Sequence, residues 1–453
     1  MIFRRIAIIF LIFSLTLLPA KPASAQAVDA STKTTTPIKH LVVVMQENHT
    51  FDNYFGTYPG ANGFPANTSV PVDPANPNAG VVTPWHLGNS SITDLSHNLS
   101  TFTEQYNNGL MNGFVRAIDR RNQNGKQTLG YYDGSDIPYY WNLADNYVLF
   151  DAFFSSAKEG SQLNHLFWVA GQAPKLGKGQ TLADAFKSLP TIFDRLQEAG
   201  ISWKFYVQNY DPKITYRDLG LVANRASQVI WVPLLAIDRF LDDPALNSHI
   251  VDLSQYYVDL RNGTLPAVAY IVPSGASEHP PGSPAAGQKF VKSLLQELMR
   301  SDAWDSSAFL LTYDDWGGWY DHVTPPQVDS LGYGLRVPAL LISPYAPKGK
   351  IDSTQLDFTS ILKFIEENWG IASLASRDAA ANSIAVGLDF KQAPRHAEFI
   401  SLARQSATGS SARSASVVYL MYGGVVVLFS AAAAIAFVRP RKLKKRALRE
   451  EIE

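Results

Sequence analysis

Continuous apolar runs constrain the fold of this chain more than any other sequence feature. There are four of them, HLVVVM (residues 40–45), AVAYIV (267–272), AFLLTY (308–313) and VPALLIS (337–343), and polar residues follow each one. Runs without polar alternation are typical of strands that are buried on both faces of a sheet. Amphipathic helix patterns such as TIFDRLQEAG, KFVKSLLQELMR and FTSILKFIEENW accompany them. The combination predicts an α/β fold with a mostly parallel central sheet flanked by helices.

The amino-acid composition limits which kinds of protein, and which kinds of metal site, this chain can form. Hydrophobic residues make up 46% of the chain and charged residues 17%, as in a globular protein with a large core. The formal net charge of -1 gives no electrostatic case for nucleic acid as a partner. The chain has no cysteine, so any metal site must use oxygen and imidazole ligands. The lack of thiols also fits an exported protein.

The amino-terminal segment, residues 1–25, has the organisation of a secretory signal peptide. Basic Arg4 and Arg5 precede the apolar stretch IAIIFLIFSLTLL, and Ala23-Ser24-Ala25 provides a small-x-small cleavage site before Gln26. The alternative is an anchor helix that is not cleaved. Both interpretations direct the chain to a membrane.

The carboxyl-terminal region predicts a membrane tether. Residues 417–438 carry no charge and are long enough to cross a bilayer, which takes about 20 residues. The basic segment RPRKLKKRALR follows, within a tail of residues 439–453, and basic segments stay on the cytoplasmic side. Residues 396–416 resemble a flexible stalk. We therefore expect a single-pass cell-membrane protein whose one folded domain, residues 37–395, is extracellular.

Two groups of acidic residues follow buried runs, at the strand ends where α/β sheets bind ligands. Glu47 and Asn48 follow the first run and offer hard oxygen ligands, although Asn48 or Thr50 would alternatively cap the next helix. Asp314 and Asp315 follow the third run, and adjacent carboxylates repel each other unless a cation lies between them. Paired aspartates are common at surface turns. Their position after a buried strand, with Gly317-Gly318 and then Asp321-His322 downstream, favours metal binding.

The segment KEGSQLNH places Ser161, Asn164 and His165 at the start of a predicted helix. A helix N-terminus favours an anion, and a serine beside a divalent cation becomes a good nucleophile. The alternative role of Ser161 is an ordinary helix N-cap. His97 and His279 are predicted to lie in loops, where they would either be solvated or supply protons in a phosphate pocket.

Several segments together resemble the bacterial phospholipase C and acid phosphatase family of phosphoesterases. They are QENHTFDNYFG, EGSQLNHLFWVAG, SEHPPGSPAAGQKFV, TYDDWGGWYDHVTPP, GLRVPALLISPYAPKG and RDAAANSIAVGLDFKQAPR, in the order that the family has. The resemblance covers residues 37–395 and implies a fold similar to alkaline phosphatase.

The resemblance also implies roles for individual residues. Glu47, Asp314 and Asp315 would bind a divalent metal ion (Ca, Mg, Mn or Zn), and Asn48 would contact the metal or the phosphoryl oxygens. Ser161 matches the nucleophile. The other matching positions are those of His97 and His279 at the phosphate, Asn164 and His165 at the substrate, and Asp321 and His322 in a secondary role. The chain departs from the family pattern at His49-Thr50, at Leu163 and near Ser353.

The implied function is metal-dependent hydrolysis of phosphate esters through a phosphoserine, on a phosphomonoester or on phospholipid head groups. The aromatic content of 12% would suit a choline pocket or simply the core. A carboxylesterase would need a G-x-S-x-G elbow, and the chain has none. An ATPase is equally unsupported, because GQAPKLGKG lacks the spacing of a phosphate-binding loop. An inactive surface-binding module is the remaining alternative, although such a protein should have lost its acidic ligands.

Overall fold

The computed structural model describes residues 33–89, 91–174, 186, 189–218 and 227–404. The predicted signal peptide, membrane helix and basic tail lie outside these residues, as does most of the predicted stalk. The chain separates into two compact units, Met1–Ile400 and Ser401–Glu453, and every element below belongs to the first. Within the described ranges, no helix combines the length and the apolarity needed to span a bilayer.

The core of the molecule is an eight-stranded sheet, and two small two-stranded sheets accompany it. In chain order the strands are β1 His40–Gln46, β2 Val70–Pro71, β3 Val81–Val82, β4 Trp85–His86, β5 Gly130–Tyr131, β6 Val148–Phe150, β7 Trp203–Val207, β8 Ile250–Asp252, β9 Val268–Val272, β10 Ser307–Tyr313, β11 Ala339–Ile342 and β12 Lys350–Asp352. The order in the large sheet is β12-β6-β11-β10-β1-β9-β7-β8. β2 pairs with β3, and β4 with β5.

The large sheet is parallel except at one strand. β1 pairs in parallel with β9 and β10, whereas β11 runs antiparallel to both of its neighbours, β10 and β6. The prediction of an α/β fold with a mostly parallel sheet is therefore confirmed. All four predicted runs form strands, but the carboxyl end of β11 lies at the opposite edge from those of β1, β9 and β10.

Helices connect the strands. The α-helices are α1 Phe51–Phe55, α2 Leu99–Tyr106, α3 Phe114–Asp119, α4 Pro138–Asn146, α5 Ser161–Ala170, α6 Ile192–Glu198, α7 Ser227–Trp231, α8 Asp238–Asp242, α9 Pro244–Asn247, α10 Ser254–Asn262, α11 Pro284–Arg300, α12 Phe358–Trp369 and α13 Ser376–Ala380. Short 3-10 helices lie at Pro77–Ala79, Asn107–Gly109, Gly125–Leu129, Tyr216–Asp218, Pro233–Ala236, Trp304–Ser306 and Ile384–Gly387. The three predicted amphipathic helices correspond to α6, α11 and α12.

Helices cover both faces of the large sheet. Tyr270 of β9 stacks on Trp168 of α5, with ring centroids 4.2 Å apart. Tyr206 of β7, whose side chain points to the other face, contacts Tyr256 of α10 at 5.5 Å. This two-sided burial explains why the central strands are apolar throughout instead of alternating. It also leaves the carboxyl edge of the parallel strands as the place for polar chemistry.

Candidate active site

Two adjacent parallel strands bring the acidic residues together. β1 and β10 pair in register up to Gln46 opposite Tyr313, so Glu47 and Asp314 leave the same edge of the sheet side by side. The Asn48 backbone N–H donates to Asp314 Oδ1 at 3.0 Å, and the Asp314 N–H donates to the Gln46 carbonyl at 3.0 Å. The sheet register therefore fixes the two acidic segments against each other.

The carboxyl groups of Glu47, Asp314 and Asp315 are buried together, each with at most 1% exposure. Burial, followed by the charges of neighbouring carboxylates, raises the pKa of Glu47 and of Asp315 well above their usual range. Asp314 Oδ2 has no hydrogen-bond partner among the described residues. Since buried negative charges need compensation, this donor set fits a divalent cation.

His165 contacts the same carboxylates but does not neutralise them. Its Nε2 lies 3.0 Å from Glu47 Oε1 and 3.7 Å from Asp314 Oδ2. Burial lowers the pKa of His165 to about 4, so its ring is neutral at pH 7. A neutral imidazole is itself a metal ligand, and the three side chains form a group with ligand spacing. Within the described residues, no lysine or arginine pairs with these carboxylates.

Ser161 lies at the N-terminus of α5, beside two of the buried carboxylates. It is the first residue of α5, and its hydroxyl lies 3.2 Å from Asp315 Oδ2 and 3.4 Å from Glu47 Oε2. The N-cap is Gly160, without a side-chain hydrogen bond, so Ser161 is not the N-cap. The helix N-terminus and the hydroxyl point to the same small region.

Asn48 connects the carboxylates to the two loop histidines. Its backbone φ is 65°, a left-handed conformation that asparagine tolerates. With its amide nitrogen turned to Glu47 and Asp314, its oxygen lies 3.2 Å from His97 Nε2 and 3.1 Å from His279 Nε2. The backbone carbonyls of Leu95 and Pro280 bond the two Nδ1 atoms, so both Nε2 atoms face the site. The structure thus brings His97 and His279 to Ser161 from separate loops.

A cavity of about 690 Å³ opens above these groups. Ser161, His97 and His279 line it. Its apolar wall is formed by Leu163, Leu166, Pro174, Phe186 and Ile230, and its polar wall includes Asp94, Asn98, Gln123 and Glu159. Among the described lining residues there is no lysine or arginine. The cavity therefore has an acidic and amide side and an apolar side.

Other predicted residues lie away from this cavity. The Asn164 side chain is occupied by the backbone of the preceding loop, accepting from Ala157 N at 2.9 Å and donating to the Glu159 carbonyl at 2.7 Å. Asp321 pairs with buried Arg336, with Oδ1 2.9 Å from Nε. His322 Nδ1 lies 2.7 Å from Asp52 Oδ2, and Asp52 also contacts Arg336. Asp321 and His322 therefore belong to an arginine-centred ion cluster.

Of the positions that depart from the family pattern, some lie in the core and one lines the cavity. His49 is fully buried, with Nδ1 2.7 Å from Asn53 Oδ1 and its ring stacked on Trp319, so it contributes to the core. Thr50 caps α1 by accepting from Asn53 N, as the alternative interpretation of this segment predicted. Leu163, by contrast, lines the apolar wall of the cavity. Among these, Leu163 is the departure that a substrate would contact.

Sequence reasoning missed two acidic residues and one tryptophan beside the site. Asp94 lies 3.6 Å from His97 Nδ1 and 4.0 Å from His279 Nε2. Glu278 is buried next to His279, and Trp231 interacts with the Glu47 carboxyl group in the sense that lowers its pKa. The spacing of Asp94 three residues before His97 was the only available signal, and it is weak. No sequence pattern pointed to Trp231.

The chain is similar to known proteins over most of its length. The model of the Phosphoesterase family matches residues 38–372. Phospholipase C A of Mycobacterium tuberculosis is 29% identical over 79% of this chain and 78% of its own length. Non-specific phospholipase C1 of Arabidopsis thaliana is 27% identical over 87% of this chain and 79% of its own length.

Similarity to solved structures is much weaker. The lipoteichoic acid synthase LtaP of Listeria monocytogenes aligns with a TM-score of 0.38 and 10% identity, over 79% of this chain and 76% of its own. The family match spans most of the domain and contains Glu47, Ser161, Asp314 and Asp315. The chain belongs to the Phosphoesterase family and is a hydrolase that acts on phosphate ester bonds.

Proposed function

We propose that this hydrolase is a metal-dependent phospholipase C that acts through a phosphoserine intermediate. The observation that carries the proposal is the position of the Ser161 hydroxyl. It lies within 3.4 Å of two buried carboxylates at a helix N-terminus, in a cavity that also has an apolar wall. An anionic reacting group and an apolar substituent would both be accommodated there.

Glu47, Asp314 and Asp315 would hold the divalent cation, with His165 as a further ligand. The Asn48 carboxamide would join them with its oxygen turned to the carboxylates, the reverse of the orientation that places this oxygen against His97 and His279. When bound, the cation supplies positive charge that favours the serine alkoxide and the phosphoryl oxygens. It also offsets the burial and the repulsion between carboxylates that together raise the pKa of Glu47 and of Asp315. The donor set does not distinguish among Ca, Mg, Mn and Zn.

The chain's own groups divide the chemistry between them. Ser161 Oγ forms the bond to phosphorus while the bond to the leaving oxygen breaks, and the serine proton passes to Asp315 Oδ2, 3.2 Å away. His279 or His97 donates a proton to the leaving oxygen. Water then attacks the phosphorus while the histidine takes a proton from it, the bond from phosphorus to Ser161 Oγ breaks, and Asp315 returns its proton to the serine oxygen. The free backbone N–H groups at the start of α5 bind the phosphoryl oxygens.

The cavity favours a diester over a small monoester. Its apolar wall is formed in part by Leu163, Leu166 and Ile230. A small phosphate monoester has no apolar part to contact this wall, whereas the glyceride part of a phospholipid fits it. The relatives named phospholipase C agree with this choice. An acid phosphatase with the same centre is the second candidate, because the metal and serine chemistry is identical for monoesters.

The test is hydrolysis of phosphatidylcholine by the wild-type chain and by Ser161→Ala. We expect diacylglycerol and phosphocholine from the wild type, and a loss of at least about 10³-fold in rate for the variant. Excess chelator should abolish the wild-type activity, and added divalent cation should restore it. Ser156→Ala is a suitable control because Ser156 bonds Asp357, away from the carboxylate cluster.

Four results would contradict the proposal. Full activity of Ser161→Ala would rule out Ser161 as the nucleophile. Activity that resists chelation would rule out dependence on a metal ion. Hydrolysis of p-nitrophenyl phosphate without any release of diacylglycerol would favour the phosphatase. No activity on either substrate, with cation present, would favour the inactive binding module.

The location outside the membrane is part of the same proposal. Its support is the apolar segment 417–438 followed by basic residues. Recovery of the chain in membranes after an alkaline wash, with residues 37–395 accessible to external protease on intact cells, would agree with it. Recovery in the soluble fraction would contradict it.

A further inference from the structure

Apolar side chains are exposed on one side of the cavity mouth. Leu99 is 52% exposed, Leu110 67%, Val328 41% and Leu331 39%. We call these four residues the apolar rim. Exposed single leucines are ordinary on protein surfaces, so the arrangement of the four is what matters.

The rim residues are connected by short contacts. Lys158 Nζ lies 5.2 Å from the Tyr106 ring at the end of α2, and 2.5 Å from Gln327 Oε1, next to Val328. Thr324 Oγ1 donates to the Gly109 carbonyl at 3.2 Å, next to Leu110. The segment that carries Val328 and Leu331 therefore lies against the end of α2 that leads to Leu110.

The rim is continuous with the cavity. Leu99 directly follows the lining residue Asn98, and its backbone N–H donates to Oε1 of Glu159, another lining residue, at 2.9 Å. Lys158 precedes Glu159 and joins α2 to the loop of residues 323–333. A molecule that lay on the rim would therefore reach the edge of the cavity at Asn98 and Glu159.

The charges around the rim are few and balanced. Glu104 is the only charged residue of segment 99–112, and it pairs with Arg121 at 3.0 Å and with Arg120 at 3.5 Å. Asp329 is the only one of segment 323–333, and it lies 3.5 Å from Arg377. Lys158 and Glu159 add one charge of each sign. The rim therefore has no electrostatic preference for a polyanion. It suits a partner that has no net charge and is amphiphilic, such as a zwitterionic lipid surface.

We propose that the apolar rim is the surface through which this domain lies on a zwitterionic lipid bilayer, with the cavity mouth against the headgroups. The proposal rests on the proposed function, since a phospholipid substrate must reach Ser161 from a bilayer. The four side chains enter the headgroup region, and their burial there holds the mouth at the lipid surface.

The lack of cysteine allows a direct test in the full chain. Leu110→Cys gives a unique thiol for a polarity-sensitive fluorophore, and Val386→Cys gives a matched control beside β12, since Val386 is 37% exposed and its carbonyl accepts from Lys350. On phosphatidylcholine vesicles we expect a blue shift and quenching by brominated lipid at position 110 only. Equal signals at both positions, or none at 110, would overturn the proposal. A shift at position 110 without vesicles would also overturn it, in favour of a second copy of the chain.

Hydrolysis provides the second measurement. Leu110→Ser with Leu331→Ser should lower the rate on phosphatidylcholine vesicles about tenfold while changing the rate on monomeric short-chain phosphatidylcholine less than about twofold. An equal loss on both substrates would overturn the proposal. Failure of the proposed function is distinguishable, because the wild type would then cleave neither substrate whereas the label at position 110 would still report on the bilayer.

Discussion

Glu278 is a buried carboxyl group that acts on the site through its neighbours. It is fully buried and accepts hydrogen bonds from Tyr54 at 2.5 Å, from Tyr313 at 2.9 Å and from Tyr140. Its backbone carbonyl lies 3.3 Å from His49 Nε2, so this one residue fixes the loop that carries His279. Burial raises the pKa of Glu278 to about 7, although the three tyrosine donors favour the ionised form.

This pKa predicts a pH dependence of stability. Between the ordinary value of 4.5 and about 7, folded Glu278 keeps a proton that the unfolded chain has lost. The free energy of unfolding should therefore fall as the pH rises through this window, by about 3 kcal/mol. Glu278→Gln should remove this component, so the wild-type Tm should decline relative to the variant between pH 4.5 and 7. Parallel Tm profiles for the two proteins would contradict the assignment.

Single residues were predictable from the sequence where they follow a recognisable strand. Glu47, Asp314 and Asp315 each follow an apolar run, and the sheet register places them together. Asp94 and Glu278 lie in loops, whose paths depend on long-range contacts with no sequence period. The same limitation hid the cluster of Arg336 with Asp52 and Asp321, which are distant in the chain.

At the scale of elements, the turn after β10 is as important as the strand itself. Gly317 has φ of 57°, and its N–H donates to Asp315 Oδ1 at 2.7 Å. A Cβ at this position would lie 2.3 Å from the Asn48 carbonyl oxygen. The glycine therefore allows the two ligand segments to approach each other.

Gly317→Ala should accordingly impair the site more than the fold. We expect at least a tenfold loss of cation affinity, because relief of the clash moves Asn48 or Asp315, and removal of shell contacts of this kind typically costs about 10–100-fold. Gly263→Ala is the matched control, since Gly263 has φ of 67° and nothing within 4 Å of the added methyl group. Titration calorimetry with the divalent cation measures both. Equal affinities in the two variants would contradict this role of Gly317.

Elements were predictable from the sequence to the extent that they were long and uniform. β1, β9 and β10 and helices α6, α11 and α12 correspond to the predicted segments. β6, β8 and β12 have three residues each, which is too few to show a periodic pattern. In β7, the lysine in WKFYV interrupts the apolar run. The reversed direction of β11 could not be predicted, because strand direction is set by pairing with β10 and β6 and leaves no trace in composition.

At the scale of the whole molecule, cation binding and folding should be coupled. The free energy of unfolding should rise with cation concentration, by about 2.7 kcal/mol at a hundredfold excess over Kd. The effect should weaken as the pH falls, because protons compete for Glu47 and Asp315. Differential scanning calorimetry with cation or chelator measures this. Asp314→Asn should lose most of the shift, and an unchanged shift in that variant would locate the cation elsewhere.

The separation of Asn48 and Asp314 in the chain, 266 positions, has a consequence for timing. β10 can join the sheet beside β1 only after some three hundred residues have been made, so no earlier folding intermediate contains both halves of the proposed metal site. A chain that is stalled in synthesis, cleaved or only partly folded should therefore have no hydrolase activity. If the proposed cation site is correct, the cation would bind only after the sheet is complete.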